Sequence, residues 1–413
     1  MAGRANILLI GTADTKSPEL AFLRDCIMEA GGATLFMDVG VLAPGAYAPD
    51  ISNAEVAAAA GTTLDAVKAS GDENSAMSKM AAGAAAIATR LRAEGRIDGM
   101  LALGGTMGTD LALDVAAALP LGVPKCVVST IAHSHLVPPE RVTPDLIAVL
   151  WAGGLYGLNA ICRSALAQAA GAVVGACRVA RPPSGERPLV GMTSLGKSCL
   201  SYMEPLLPAL EARGYEVAVF HTTGMGGRAF EALAGEGAFA AVMDFSLQEL
   251  ANHCAGSVVT AGPTRLEAAG RRGVPQIVAP GAIDMIDFPA WRPDGKAGEG
   301  RGFHAHNRLI ASIAATAAER RGVAELIARK LSMAAGPTAY ILPRGGVEAW
   351  DRPGEPMHDP QALDAFLSAA RASAPANAEL VEIDAHINDR AFADAALAIF
   401  DRWVGAGRIA AAR

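Results

Sequence analysis

Aromatic side chains are scarce, at 5% of the chain, and charged residues reach only 19%. A chain so short of charge yet 51% hydrophobic has burial to spare, which argues against disorder. Positive charge is in deficit as well. A formal net charge of −7 removes support for a nucleic-acid-binding role driven by phosphate neutralisation. The cysteines (Cys26, Cys126, Cys162, Cys177, Cys199, Cys254) are scattered and form no Cys-x-x-Cys pair. That pattern fits reduced, mostly buried thiols better than a disulfide framework or a zinc site. No run of 18 or more apolar residues occurs and the N-terminus enters a strand almost at once, so neither membrane span nor signal peptide is expected. The opening turn lacks Gly-x-Gly-x-x-Gly, so NAD is not its natural ligand. These absences describe a soluble, cytoplasmic protein. At 413 residues it is too long for one core and divides into domains.

What is present is concentrated in the stretch Ile7 to Lys16. Ile7-Leu8-Leu9-Ile10 suits a strand buried on both faces of a parallel sheet. It ends at Gly11 in a polar turn, Thr12-Ala13-Asp14-Thr15-Lys16, before Ser17 as helix cap and Pro18 as first helical residue. A strand, a polar turn and a helix N-terminus converge on an anion site. Thr12, Thr15 and Lys16 supply phosphate contacts there, and Asp14 suits Mg²⁺ or a ribose hydroxyl. A second strand, Thr34–Asp38, ends in an acid, where a Rossmann-type domain holds a ribose. Residues 39–73 read as an insertion of turns and two short Ala-rich helices, followed by a helix over about 75–94 with Met77, Met80, Ala84, Ile87 and Leu91 on one face.

The strand Gly99–Leu103 runs into Gly104-Gly105-Thr106-Met107-Gly108-Thr109, a turn whose glycines let backbone approach a ligand closely. The strand Lys125–Val128 is followed by Ser129 and Thr130. A strand at about 146–151 and a helix over about 158–177 complete the first unit. Several such turns on one edge of a parallel sheet form the default pocket of a doubly wound fold. Residues 181–188, with three prolines and a glycine, read as a linker. The expected organisation is therefore α/β: two Rossmann-like, doubly wound parallel-sheet subdomains, 1–180 and 189–413, joined by a short Pro-rich linker.

The second half repeats the opening, with strands at 189–193 and 216–220, and Asp38 and His221 then occupy comparable places. Gly191 to Ser198 formally matches the P-loop pattern, with Asp244 as a possible Mg²⁺ partner, although Met192 and Thr193 belong equally well to the strand. The loop over 280–306 is long, and its Asp284, Asp287, His304 and His306 suit metal binding or acid–base work. Residues 345–357 read as a surface connection. Asp359 caps a helix after a strand at 338–342, and the last strand, 380–384, leads to His386-Ile387-Asn388-Asp389 at the start of the final helix.

Gly11 to Lys16, Asp38-Val39-Gly40, Gly104 to Thr109, Ser129-Thr130, Phe220-His221, Gly224 to Arg228, Gly281 to Met285, His304 to Asn307 and His386 to Asp389 occur in family order over nearly the whole chain. In these the sequence resembles the ATP-binding domain family named after the tomato mosaic virus resistance protein, whose bacterial members form an uncharacterised protein family. The resemblance implies two Rossmann-like subdomains, ATP with Mg²⁺, and a homodimer. The family has another sequence after the second domain's first strand, so the resemblance marks the P-loop match as an accident of this chain. The cofactor set is then Gly11, Thr12, Asp14, Thr15, Lys16, Asp38, Gly104, Gly105, Thr106, Gly108, Thr109, Ser129 and Thr130. His221, Asp284, His304 and His306 would serve a small-molecule reaction at the domain interface, with no resident metal. Two other functions stay open: a nucleotide-gated interaction protein without catalysis, and a His/Asp metal-dependent lyase or hydrolase.

Overall fold

The computed structural model describes residues 4–43, 45–180, 186–292 and 300–412. The chain divides into two compact units, Met1–Ser184 and Gly185–Arg413. Of the stretch read as a linker, residues 181–185 lie outside the described residues.

Unit 1 runs β1 (Asn6–Gly11), α1 (Ala13–Glu29), β2 (Ala33–Asp38), α2 (Asn53–Ala59), α3 (Leu64–Lys68) and α4 (Glu73–Ala93). It continues with β3 (Gly99–Gly104), α5 (Thr106–Ala118), β4 (Lys125–Ser129), β5 (Leu146–Leu150) and α6 (Ala160–Val179). The strands form one parallel sheet in the order β2-β1-β3-β4-β5. Strand periodicity explains the layers. Ile7, Leu9, Leu101 and Leu103 point to the side covered by Leu20, Leu23 and Ile27 of α1 and by Leu166 and Val173 of α6. Leu8, Ile10, Met100 and Ala102 point to the other side, against Met80, Ile87 and Leu91 of α4 and Leu111 and Val115 of α5. The helical stripe read on α4 is thus core. By length and composition α6 could cross a membrane, but here it covers a sheet face with Cys162, Leu166, Ala169, Ala170, Val173 and Val174 buried.

Unit 2 runs β6 (Leu189–Ser194), α7 (Met203–Glu211), β7 (Glu216–His221), α8 (Met225–Glu236), β8 (Ala241–Ser246), α9 (Gln248–Cys254), α10 (Ala268–Arg272) and β9 (Gln276–Gly281). Then come β10 (Met285–Pro289), β11 (Phe303–His304), β12 (Ile310–Ala314), α11 (Ala317–Leu331), β13 (Thr338–Pro343), α12 (Pro360–Ser373), β14 (Ala378–Ile383) and α13 (Arg390–Gly405). Its main sheet is also parallel, in the order β14-β13-β9-β8-β6-β7. Helices α7 and α13 cover one face, where Phe392, Phe400 and Trp403 meet Met192, Met243 and Ile341. Helices α9, α11 and α12 cover part of the other. Both units are Rossmann-like. In each, the first strand sits between the second and the third, and Gly11 pairs with Asp38 as Ser194 pairs with His221.

Local expectations need four corrections. Helical turns begin at Ala13, with Thr12 in the N-cap position, and the helix kinks at Lys16 (φ −131°), two residues before Pro18. Ser17 does not cap: its hydroxyl donates to the Ala13 carbonyl at 2.6 Å and accepts from Tyr47 N at 3.1 Å. The stretch 280–306 is not all loop, because β10 and β11 pair antiparallel with β12; residues 293–299 lie outside the described residues. The stretch 345–357 is a surface connection only in part: residues 352–356 are exposed, but Val347, Glu348, Asp351 and Met357 are buried.

Candidate functional site

The turns after β1 and β3 meet where strand order reverses in unit 1, at the carboxyl edge of its sheet, the usual ligand position in such folds. A cavity of about 790 Å³ opens there. One wall is polar: Thr12, Asp14, Thr15 and Lys16 from the first turn, and Gly104, Gly105, Thr106, Met107 and Gly108 from the third. The rest of the lining is mostly aliphatic, with Val39, Val41, Leu42, Ala76 and Met77, and includes Lys68, Asp72 and Glu73 at the α3–α4 connection. Residues 39–73, read from sequence only as an insertion, thus form half of the cavity. Apart from Val39-Gly40, no motif marks them, and Val41 and Leu42 lie in an irregular turn that no periodicity reveals.

Glycine chemistry explains the third turn. A Cβ on Gly104 would sit 2.5 Å from the backbone of Gly108, so only glycine lets α5 start directly off the strand. Gly105 is the N-cap of α5 and has no side chain to bond the first amides. A Cβ there would meet nothing nearer than Thr130 Oγ1, at 3.9 Å. The first backbone N–H groups of a 13-residue helix therefore face the cavity uncapped, with the positive end of the helix dipole. Lys16 holds its ammonium on the Leu155 carbonyl at 2.7 Å, 5.5 Å from the Tyr156 ring centroid. Thr12 and Thr15 share a hydroxyl–hydroxyl hydrogen bond of 2.7 Å, and Asp14 accepts from Leu42 N at 2.9 Å.

The remaining members of the nucleotide set are not brought to the cavity wall. Gly11 packs under Leu20, which a Cβ would meet at 2.6 Å. Asp38 is buried and works for the backbone: its Oδ1 accepts from Ala13 N and Gly40 N, both at 2.9 Å. Burial raises its carboxyl above the usual range, against the lowering effect of those amides. It ties the first turn to the second and is not aimed at a ribose. Thr109 and Ser129 are likewise buried and bonded to one another at 2.7 Å. Thr130 stands behind Gly105 and does not line the cavity.

In unit 2 the Gly191–Ser198 pattern is not a phosphate loop. Gly191 to Ser194 belong to β6, α7 starts only at Met203, and exposed Lys197 pairs with Glu204 at 3.3 Å. Asp244 is no cation ligand here either, because Arg265 Nη1 and Nη2 clamp its two oxygens at 2.5 and 2.6 Å. Around the end of β7 the structure gathers three of the expected residues. His304 stacks on Trp350 with centroids 3.7 Å apart, and His306 lies 6.1 Å from His304. Burial and the neighbouring His306 hold His221 and His304 below the usual imidazole range. Asp287 shares this neighbourhood. It pairs across strands with Ser312, whose hydroxyl donates to it at 2.6 Å, and His304 pairs with the same Ser312. Asp284 stands apart from the histidines, buried with Glu348. Among the described residues no group of three or more His, Cys, Asp or Glu is arranged to hold a metal ion.

Two family domains cover this architecture. Residues 5–182 match the N-terminal domain, and residues 187–404 the C-terminal domain, of the uncharacterised protein family UPF0261. The chain belongs to the UPF0261 family. A UPF0261 protein of Brucella melitensis is 58% identical over 401 residues, covering 97% of this chain and 96% of that one. The ToMV resistance protein Tm-1(GCR237) of Solanum lycopersicum is 30% identical over 309 residues, which are 73% of this UPF0261 chain but 41% of the tomato protein. A solved structure of a putative UDP-N-acetylglucosamine 2-epimerase from Listeria monocytogenes aligns over 67% of this chain and 79% of its own, at 11% identity and a TM-score of 0.22. That likeness carries no argument, and the fold rests on the two sheets themselves.

Proposed function

We propose that unit 1 binds ATP, with the phosphates over the turns after β1 and β3 and the base against the aliphatic wall. The observation that carries this reading is the uncapped N-terminus of α5 opening into a cavity of about 790 Å³. Cavities that hold ligands of this size span about 300–1,000 Å³, and helix N-termini suit phosphate. The donor set fits as well. Thr12, Thr15, Lys16 and Thr106 offer hydroxyls and a cation, Lys68 adds a second cation to the lining, and Asp14 is the carboxylate that would meet a phosphate-bound Mg²⁺. Met77, Leu42 and Val41 supply apolar contact without a stacking ring, so discrimination among purines is expected to be modest. The family resemblance supports ATP in particular.

A substitution that fits the fold but opposes the ligand tests this. Gly105→Asp places a carboxylate at the N-cap of α5, where aspartate is a better cap than glycine. Stability should stay within about 1 kcal/mol of wild type, or rise, while the charge repels phosphate. Calorimetric titration of ATP with Mg²⁺ should show binding to wild type and to Lys197→Ala, and at least a tenfold loss in Gly105→Asp. Unchanged affinity in a folded Gly105→Asp protein would sink the assignment to this cavity.

A further inference from the structure

Four strand ends of unit 2 deliver ionisable side chains to one buried place. Cys199 follows β6, Asp284 follows β9, Glu348 and Asp351 follow β13, and His386 follows β14. Part of this cluster is internally balanced. Asp351 Oδ1 takes His386 Nε2–H at 3.0 Å and Oδ2 takes Val347 N–H at 2.5 Å. His386 Nδ1 accepts Asn388 N–H at 3.0 Å, which places the ring proton on Nε2. The other part is not balanced. Beyond its own backbone amide, the Asp284 carboxyl finds no N–H or hydroxyl partner among the described residues, and neither does Oε1 of Glu348. Glu348 Oε2 accepts from Trp350 N at 2.7 Å and from the Cys199 thiol at 3.4 Å. The turns that carry the two carboxyls are tied together, Ala282 N donating to the Val347 carbonyl at 3.0 Å, and the buried Asp284 and Glu348 carboxyls act on one another.

Two ionised carboxylates only accept, and where water does not reach they repel. One proton between them converts that repulsion into a charge-assisted O–H···O bond. We propose that Asp284 and Glu348 form a buried proton site, Glu348 donating the shared proton at neutral pH and Asp284 accepting it as the ionised partner. The surrounding groups set the roles. Arg320, from α11, is the cation that acts on Asp284, while its own Nη2 finds no acceptor and its Nε donates to the Ala315 carbonyl at 3.0 Å. Glu348 faces the Asp284 and Asp351 carboxyls and the Cys199 thiol. Burial, then Glu348 and Asp284, with Asp287 adding less, push Cys199 well up, so it remains a thiol and a donor. Burial also raises both carboxyls, Glu348 further than Asp284.

Two backbone positions beside this site hold positive φ. Ala282, two residues before Asp284, holds φ +57°, a conformation rare for a residue with a Cβ. Gly346 holds φ +130°, and a Cβ there would meet Asp351 Oδ1 and His386 Cδ2 at 2.5 Å. Trp350, whose N–H binds Glu348, is itself covered by the His304 ring. A proton kept at neutral pH beside its own acceptor is the pairing that general acid–base chemistry uses. The proposal does not depend on nucleotide binding in unit 1.

Infrared spectroscopy of the full chain reads the proton directly. Wild type at neutral pH should show a protonated-carboxyl C=O band that exchanges slowly into D2O. Glu348→Gln supplies an amide N–H in place of the shared proton, and Asp284→Asn does the same from the other side. Both variants should lose that band while keeping the hydrogen bond. Absence of the band in wild type overturns the proposal, and so does its survival in either folded variant. Should one variant fail to fold, the other and the wild-type spectrum still decide.

Discussion

Arg265 shows how a single side chain can hold a region together. It is fully buried and meets three carboxylates: Asp244 through two bonds, Glu249 at 2.8 Å and Glu231 at 3.2 Å. Glu231 also accepts the Leu266, Glu267 and Ala268 amides. Burial raises Glu231 and Glu249, while Arg265 opposes that rise. Removing the cation leaves buried negative charge uncompensated, which costs about 3–5 kcal/mol. Arg265→Ala should therefore lose that much at neutral pH in urea unfolding. Part should return as pH falls, because carboxyls raised in the folded state then take up protons. A loss below about 1 kcal/mol would show the cluster to be dispensable. Nothing in the sequence announced it: Arg265 lies in a turn between short helices, and its partners come from β8, α8 and α9.

At the scale of elements, most buried parallel strands were legible, β9 excepted, and polar antiparallel ones were not. Ile7–Ile10, Gly99–Leu103 and Lys125–Val128 are apolar runs that both sheet faces require. In β10, Met285-Ile-Asp-Phe-Pro, the aspartate reads as a loop residue, yet Asp287 points inward and is satisfied by Ser312 and Asn252. The start of α7 at Met203 has a similar cause. The side chain of Asn388 takes Ser201 N–H and donates to the Cys199 carbonyl, both at 2.8 Å, so residues 199–201 are held out of the helix by a residue far away in sequence. Such partners leave no local trace. The β10–β12 pairing makes its own prediction. Ser312→Ala deprives buried Asp287 of its shortest side-chain donor, costing about 1–3 kcal/mol. Burial already raises Asp287, against the lowering by Ser312 and Asn252. The deficit should then widen as pH rises, since the mutant folds best with Asp287 protonated. Thermal unfolding at mildly acidic and neutral pH would show it, and a pH-independent deficit would argue that packing alone was lost.

For the whole molecule, the sequence reading reached the architecture and half of the cavity. Motif residues lie on β–α turns, and turns of a parallel sheet collect on one edge, so Thr12, Asp14, Lys16 and the Gly104–Gly108 turn were found together. Asp38, Thr109 and Ser129 share those turns but spend their polar atoms on one another or on backbone, which spacing cannot reveal. The proposed nucleotide site can be tested by its location, since the two similar units have their own core clusters. Ligand binding to the native state alone stabilises it by RT ln(1 + [L]/Kd), about 2.7 kcal/mol at a hundredfold excess over Kd. That gain should be confined to the unit that binds. Hydrogen exchange with and without saturating Mg²⁺–ATP separates the cases. Protection should rise in 12–16, 39–42 and 104–108 and in the first turns of α5, with little change over 195–201. A rise at 195–201 instead would move the nucleotide to the second unit, despite the strand and late helix that occupy its P-loop-like sequence. No rise in either unit at a saturating concentration would turn attention from nucleotides to the carboxyl edge of unit 2.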